Sequence, residues 1–242
     1  RETIKDLSDT LLINKEDKLL TSGEVNKMQK ALADCEIKLQ YAQDIINSKK
    51  ADGILTFDDL KFDSITVDES HDFKNLKFVT KHTRVAGLGN GAAVQKTDNL
   101  LNYIRNIQTK NGGDKGVTFA SGTTISNSIT EMYLLFKYLI PTTLANKKIN
   151  NFDQWARMFA RKTNEYEESV SGQVKQKERF RYFVKVPELA KIYNDITNFA
   201  DFNTFKIERP LGVTQLIAIE PYKEQKQYME RVKQFGQDRK SV

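Results

Sequence analysis

The chain has 242 residues, of which 39% are hydrophobic and 29% are charged, a composition typical of a folded domain and unlike that of a disordered chain. Its 38 basic and 32 acidic residues give a net charge of +6, which favours a polyanionic partner, and its single cysteine favours a reducing, cytoplasmic compartment. No apolar run approaches the roughly 20 residues of a membrane-spanning helix, so we expect no membrane partner.

The first 50 residues predict two helices. Residues 1–12 place their leucines on one side, and residues 23–47 repeat apolar side chains at spacings of three and four. Two helices that share one apolar stripe predict a helical hairpin. We expect this hairpin to pack against the body of the domain or against a partner helix, and a DNA-grasping appendage is the alternative.

An acidic pair follows the first predicted strand, residues 65–67, whose β-branched side chains favour extended backbone. The next residues are Asp68, Glu69, Ser70 and His71. Enzymes that cleave phosphoanhydrides place two carboxylates at such a strand end: one holds Mg²⁺, usually through water, and the other deprotonates the attacking water. Asp68 is the candidate for the first role and Glu69 for the second.

A second strand and polar loop are predicted further along the chain. A helix is predicted over residues 92–108, a buried strand over 117–120, and then the sequence Ser121-Gly122-Thr123-Thr124. A capping box at Ser128 and Glu131 predicts the start of another helix. This order predicts an open α/β fold, in which both polar loops lie at the carboxyl edge of a parallel sheet.

The last third of the chain is predicted to be mostly helical between residues 150 and 205, with a strand at 213–219 and a polar, basic helix from residue 223. Basic and aromatic residues alternate in its middle. Such a segment is suited to DNA phosphates, and the alternative is a solvated helix face with its aromatic side chains in the core. The candidate phosphate-contacting residues are Lys175, Lys177, Arg179 and Arg181.

In this order the motifs resemble those of superfamily 2 helicases, specifically the Swi/Snf-like translocase branch. They look closest to the helicase part of methyltransferase–helicase proteins carried by phages and conjugative elements. The matching stretches are TFDDL at 56–60, VDESHDFKNL at 67–76 and TFASGTTISNSITE at 118–131, with weaker matches of FDQW at 152–155, RF at 179–180 and VPEL at 186–189.

The resemblance implies an incomplete RecA-like lobe of a P-loop NTPase, with a small parallel sheet, an N-terminal helical hairpin insertion and extra helices. Residues 1–50 would be the insertion, residues 51–222 the lobe with a helical insertion at about 150–205, and residues 223–242 the start of an interlobe linker. For the site it implies that Asp68 and Glu69 act on Mg·ATP. His71 would face Ser121, Gly122 and Thr123 and couple the state of the nucleotide to the grip on DNA.

The chain departs from this family in what it lacks. The sequence contains no Gly-Lys-Ser or Gly-Lys-Thr, the loop that cradles phosphates, and the glycine run at 87–91 is not followed by one. The second motor lobe is also missing. Because residue 1 is an arginine, we expect a piece of a longer protein. The resemblance implies a fragment of an ATP-dependent DNA helicase or translocase, and without the phosphate loop we expect it to be inactive alone and to hold no cofactor tightly. The parent protein would use Mg²⁺ and ATP, bind DNA, preferably double-stranded, and include the second lobe.

Two alternatives stay open. The first is a non-catalytic module with a degenerate ATPase fold that docks DNA or protein. The second is a metal-dependent hydrolase that uses Asp68, Glu69 and His71 as ligands, although it would be short of ligands.

Overall fold

A computed structural model describes residues 2–17, 20–49, 57–82, 85–86, 88, 95–125, 128–168, 174–205 and 211–238. The chain forms two compact units. The first comprises Arg1–Thr163 and Arg179–Val184, and the second comprises Asn164–Glu178 and Lys185–Val242. Most of the glycine run at 87–91 lies outside the described residues. None of the described helices combines the length and the apolar character that crossing a bilayer requires.

Helices α1 (Glu2–Asp17) and α2 (Ser22–Lys49) confirm the two helices predicted at the N-terminus, and they pack against each other. Thr21 and Glu24 form a capping box at the start of α2, since the Thr21 amide donates to the Glu24 carboxylate at 2.9 Å and the Glu24 amide donates to the Thr21 hydroxyl at 3.4 Å. Toward its carboxyl end α2 is exposed, including Tyr41 and Ile46.

Helix α1 is fixed to the rest of the first unit by polar contacts. Its Asp6 carboxylate accepts a hydrogen bond from the Lys137 ammonium, and both side chains are buried. Burial raises the pKa of Asp6, although the Lys137 charge opposes that shift. Burial also acts to raise the pKa of Glu2, but Arg105, whose Nε lies 2.7 Å from Glu2 Oε1, together with Lys137 and Lys5 lowers that pKa below its usual value. The first half of the hairpin is therefore part of this compact unit.

A two-stranded parallel sheet is formed by β1 (Ile65–Val67) and β3 (Val117–Phe119), as predicted. The register pairs Ile65 with Val117 and Val67 with Phe119. Gly116 precedes β3 with a φ of 82°, and a Cβ there would clash with the Asn111 side chain and lie 2.8 Å from the Asp63 carbonyl. Only glycine fits at this entry to the strand.

Helices α3 (Gln95–Lys110), α4 (Ile129–Leu139), α5 (Pro141–Asn146) and α6 (Phe152–Phe159) supply most of the core of the first unit. Ser128 caps α4 as predicted, but its hydroxyl accepts from the Thr130 amide, two residues on, at 3.2 Å. The side chains of Phe152 and Trp155 are completely buried. The largest other buried side chains are Tyr133, Tyr138, Phe136, Phe159, Ile104 and Ile107.

The prediction of a mostly helical segment over 150–205 is wrong for its middle. Strands β4 (Ala160–Glu168) and β5 (Val174–Phe183) form a three-stranded sheet with β2 (Val85–Ala86), in the order β2-β5-β4. The basic residues of β5 alternate with other side chains, a period of two that belongs to strands and not to a helix face. Two neighbouring segments of this kind can satisfy their backbone hydrogen bonds by pairing with each other.

The second unit contains α7 (Val186–Asn194), α8 (Phe202–Phe205) and α9 (Lys223–Asp238), and α9 confirms the predicted polar helix. The strand predicted at 213–219 is wrong: these residues have no regular structure, and the Val213 and Leu216 side chains are 93% and 94% exposed. A strand needs a partner for its backbone groups, and no described residue supplies one here.

Candidate active site

The loops that follow β1 and β3 lie together at the carboxyl edge of the parallel sheet. Two backbone hydrogen bonds join them, from the Ala120 amide to the Val67 carbonyl at 2.9 Å and from the Ser70 amide to the Ala120 carbonyl at 3.0 Å. The acidic loop and the hydroxyl-bearing loop are therefore neighbours, as the predicted order of strands and helices requires.

The acidic pair sits on a tight and strained turn. Glu69 has φ 47° and ψ 48°, in the left-handed region, and it precedes a short 3-10 helix over Ser70–Phe73. Such a conformation costs a residue with a side chain about 1–3 kcal/mol and is typical of functional turns. Asp68 stabilises the turn, because its Oδ1 accepts a hydrogen bond from the Glu69 amide at 2.9 Å. Both carboxylates are exposed, so a ligand can reach them.

His71 connects the two loops. Its Nδ1 lies 3.0 Å from Glu69 Oε2 and 3.4 Å from Ser121 Oγ, and its Nε2 lies 3.7 Å from Asp72 Oδ1. When it carries a proton, Nδ1 can donate to Glu69, and without one it can accept from the Ser121 hydroxyl. His71 Nδ1 therefore lies close to Glu69 of the acidic loop and to Ser121 of the hydroxyl-bearing loop.

The residues of the Ser121-Gly122-Thr123 motif differ in whether they contact His71. Ser121 Oγ accepts a hydrogen bond from the Thr123 amide and lies 3.1 Å from the Thr123 carbonyl, so the loop closes on its own hydroxyl. In the described part of the chain, neither Gly122 nor the Thr123 side chain has a hydrogen bond to His71. Ser121 is the residue of the motif whose side chain contacts His71 of the acidic loop.

Two contacts behind the site were not predicted from the sequence. Glu131, a buried carboxylate on α4, lies 3.4 Å from the Lys74 ammonium, and the Tyr138 hydroxyl donates to the Phe73 carbonyl at 3.2 Å. Both hold the end of the acidic loop against α4. A charged residue within the apolar sequence of α4 was the available signal for Glu131, and it was assigned to helix capping instead.

A magnesium ion would find few protein ligands here. Across the described ranges, no group of three His, Cys, Asp or Glu side chains could hold a metal ion. Mg²⁺ keeps several of its waters and often takes only one or two carboxylates, with nucleotide phosphates completing its shell. The exposed carboxylate of Asp68 fits such a water-mediated role, and it does not fit a metal site made by protein side chains alone.

The four basic candidates lie on strand β5 and not on a helix. They occupy every second position of it. Lys177 and Arg181 are exposed, Arg179 is half-buried, and the side chain of Lys175 lies outside the described residues.

Comparison with known proteins places the chain in a helicase-related family. A family model described as "Probable helicase domain" matches residues 1–201. The "Defense against restriction protein B" of Escherichia phage P1 is 23% identical over 192 residues, which cover 74% of this chain and 8% of the phage protein. The chain therefore spans about 8% of the length of this relative, and no solved structure matches it. Because the family model covers most of the sequence, the chain belongs to the family of probable helicase domains.

Proposed function

We propose that this chain is part of a motor lobe that couples ATP hydrolysis to movement along DNA. The contact that carries the proposal is the one between His71 and Ser121, which joins an acidic loop to a hydroxyl-bearing loop at one edge of a parallel sheet. The family match supports a helicase-related role. The finer assignment, a RecA-like lobe of the Swi/Snf-like branch of superfamily 2 that works in the cytoplasm, rests on the sequence motifs.

In this proposal Asp68 holds Mg²⁺ through water, and Glu69 orients and deprotonates the water that attacks the γ-phosphate. Bound Mg·ATP would supply the γ-phosphate that the water attacks and the positive charge of the metal ion. The left-handed backbone at Glu69 fixes the direction from which its side chain leaves the loop. Glu69 is also the nearer of the two partners of His71 Nδ1, so a change at the carboxylate alters the hydrogen bonding that Nδ1 can offer to Ser121.

DNA is the proposed polyanionic partner, preferably double-stranded. Lys175, Lys177, Arg179 and Arg181 would contact its phosphates, since regularly spaced positive charge can follow a phosphodiester backbone. The remainder of the same polypeptide, including a second motor lobe, is the other proposed partner. It would supply the phosphate-binding loop, because no Gly-Lys-Ser or Gly-Lys-Thr occurs in these 242 residues.

The same absence favours a second candidate function, a docking module with a degenerate ATPase fold. The two functions differ in what the missing loop does. If the loop is present in the longer protein, the acidic pair is catalytic. If it is degenerate, the lobe presents a surface for DNA or protein.

A measurement of ATP turnover by the 242-residue chain tests the proposal that the phosphate-binding loop lies in another part of the polypeptide. Preorganised positive charge around the phosphates supplies much of the catalysis of phosphoryl transfer, so we expect this chain alone to release negligible phosphate from Mg·ATP, with or without DNA. The Glu69→Gln variant of the same chain defines the background. Turnover above that background, abolished by this substitution, would contradict the proposal that the phosphate cradle lies elsewhere.

A further inference from the structure

A cavity of about 630 Å³ lies in the first unit, away from the acidic loop. It is bordered by α1, residues 81–82, α6, the start of β4 and the end of β5. Its size falls within the roughly 300–1,000 Å³ that is usual for small-ligand sites. It shares no lining residue with residues 68–71 or 121–123.

One wall of the cavity is apolar and includes an aromatic ring. Phe180 lines it and is held from behind, because its ring meets the fully buried Phe152 edge-on at 6.0 Å and the His82 ring edge-on at 5.2 Å. A ring fixed by such contacts is suited to a planar partner. The other apolar lining side chains are Ile13, Leu20, Ala156, Ala160 and Val184.

The polar part of the lining is positively charged. Among the described residues Asp153 is the only carboxylate of the lining, and the protein already engages it: the Thr80 hydroxyl donates to it at 2.6 Å and the Lys81 amide at 3.0 Å. Basic side chains therefore outnumber carboxylates in the described lining, which favours an anionic ligand. The basic lining residues are Lys81, Arg157, Arg161 and Lys162.

Gln154 adds an unused hydrogen-bond acceptor. It lines the cavity, and its Oε1 is buried without a donor from the described residues. Buried polar atoms of this kind are uncommon and call for an explanation. Turning this carboxamide toward a ligand would break no hydrogen bond at Oε1, so Gln154 can accept an N–H group from a bound molecule at low cost.

We propose that this cavity binds a nucleotide unit, a ligand that combines an anionic phosphate, a planar base and N–H donors. The phosphate contacts Arg157, Arg161 and Lys162, the base lies against Phe180, and Gln154 accepts an N–H of the base. The unit is either a free mononucleotide or one nucleotide of a single strand, since both present the same groups. The inference does not rest on the proposed hydrolysis, because the two sites have no residue in common.

Calorimetric titration of the 242-residue chain with AMP, and fluorescence anisotropy with a short labelled strand of deoxyadenylate, test this assignment. Arg161→Glu reverses an exposed charge and should raise the dissociation constant about tenfold, because it removes a charge-assisted phosphate contact. Phe180→Leu should weaken binding as well. Lys115→Glu, which reverses an exposed charge outside the lining, is the matched control. Thermal unfolding of each variant checks that the fold is intact.

The two ligands separate the two sources of the nucleotide. AMP binding that is weakened by Arg161→Glu and not by Lys115→Glu supports a site for a free nucleotide. Strand binding with the same variant pattern, without AMP binding, supports a nucleotide within a strand. The proposal is overturned if neither ligand binds, if both charge reversals act equally, or if ribose 5-phosphate binds as tightly as AMP. Dependence of AMP affinity on Arg161 and Phe180, neither of which belongs to residues 68–71 or 121–123, separates this site from the proposed hydrolytic one.

Discussion

At the scale of single residues, the approach of His71 to Ser121 is the contact that the sequence allowed us to anticipate, whereas its contact with Glu69 was not predicted. Two parallel strands, each followed by a polar loop, bring those loops to one edge, so the approach of His71 to Ser121 follows from the order of the elements. The left-handed backbone of Glu69 could not be predicted in this way, because nothing in local sequence marks a glutamate for that conformation.

Contacts between distant residues were also beyond prediction. The Asp6 carboxylate and the Lys137 ammonium form a buried ion pair between α1 and α4, although 131 positions separate them in the chain. A lysine within an apolar helix and an aspartate within another carry no local signal that they will meet. Their pairing depends on how α1 packs within the first unit, which is a property of the tertiary structure.

This pair gives a prediction about stability. Lys137→Met leaves Asp6 buried without its charged partner, and removing one member of such a pair typically costs about 3–5 kcal/mol. We expect urea unfolding followed by circular dichroism to show a decrease in the free energy of unfolding of that order. Lys27→Met, on the exposed side of α2, is the matched control and should change stability by less than about 0.5 kcal/mol.

A second substitution separates charge from packing at this position. The double variant Asp6→Leu with Lys137→Met removes both charges and should recover much of the stability, because apolar pairs often replace buried ion pairs without penalty. Equal stability of Lys137→Met and Lys27→Met would show that the ion pair between α1 and α4 does not hold the first helix.

At the scale of elements, helices and strands were predicted correctly where apolar residues repeat at a clear spacing. Helix α3 was predicted well, since Leu100, Leu101, Ile104 and Ile107 repeat at helical spacing and are all buried. Strands β4 and β5 were missed because charged residues dominate them and few β-branched side chains mark them. The alternation of charges along β5 was the available signal, and it was interpreted as a helix face.

The strand assignment changes the geometry expected at the proposed DNA-binding residues. Successive side chains of a strand point to opposite faces, so Lys177, Arg179 and Arg181, at every second position of β5, share a face. Lys177→Glu combined with Arg181→Glu should therefore weaken the binding of duplex DNA. It should also make the logarithm of the affinity less dependent on the logarithm of salt concentration, because each phosphate that the protein neutralises contributes about one unit to that slope. Fluorescence anisotropy at several salt concentrations measures both quantities.

The control for this experiment is Lys27→Glu combined with Lys115→Glu, which makes the same change in net charge at two exposed positions outside β5. A purely general electrostatic effect would lower affinity equally in both double variants. That outcome, or an unchanged salt slope after the β5 reversal, would remove these residues from the proposed DNA interface.

At the scale of the whole molecule, composition and motif order indicated a helicase relationship that the family match confirms over residues 1–201. The division of the chain into two units was not predicted, because it depends on which segments pack together and not on local pattern. The N-terminal hairpin was predicted as an insertion, and its first helix packs into the first unit through Asp6, Glu2 and their partners on α3 and α4.

The most direct test of the central claim is ATP hydrolysis by a longer polypeptide that contains this chain together with a phosphate-binding loop, with and without DNA. We expect Glu69→Gln to lower the rate by about 10²–10⁴-fold, as the removal of a general base does, and Glu36→Gln on the exposed face of α2 to have no effect. His71→Ala and Ser121→Ala should each reduce the stimulation by DNA more than the rate without DNA. Undiminished hydrolysis by the Glu69→Gln variant would contradict the account.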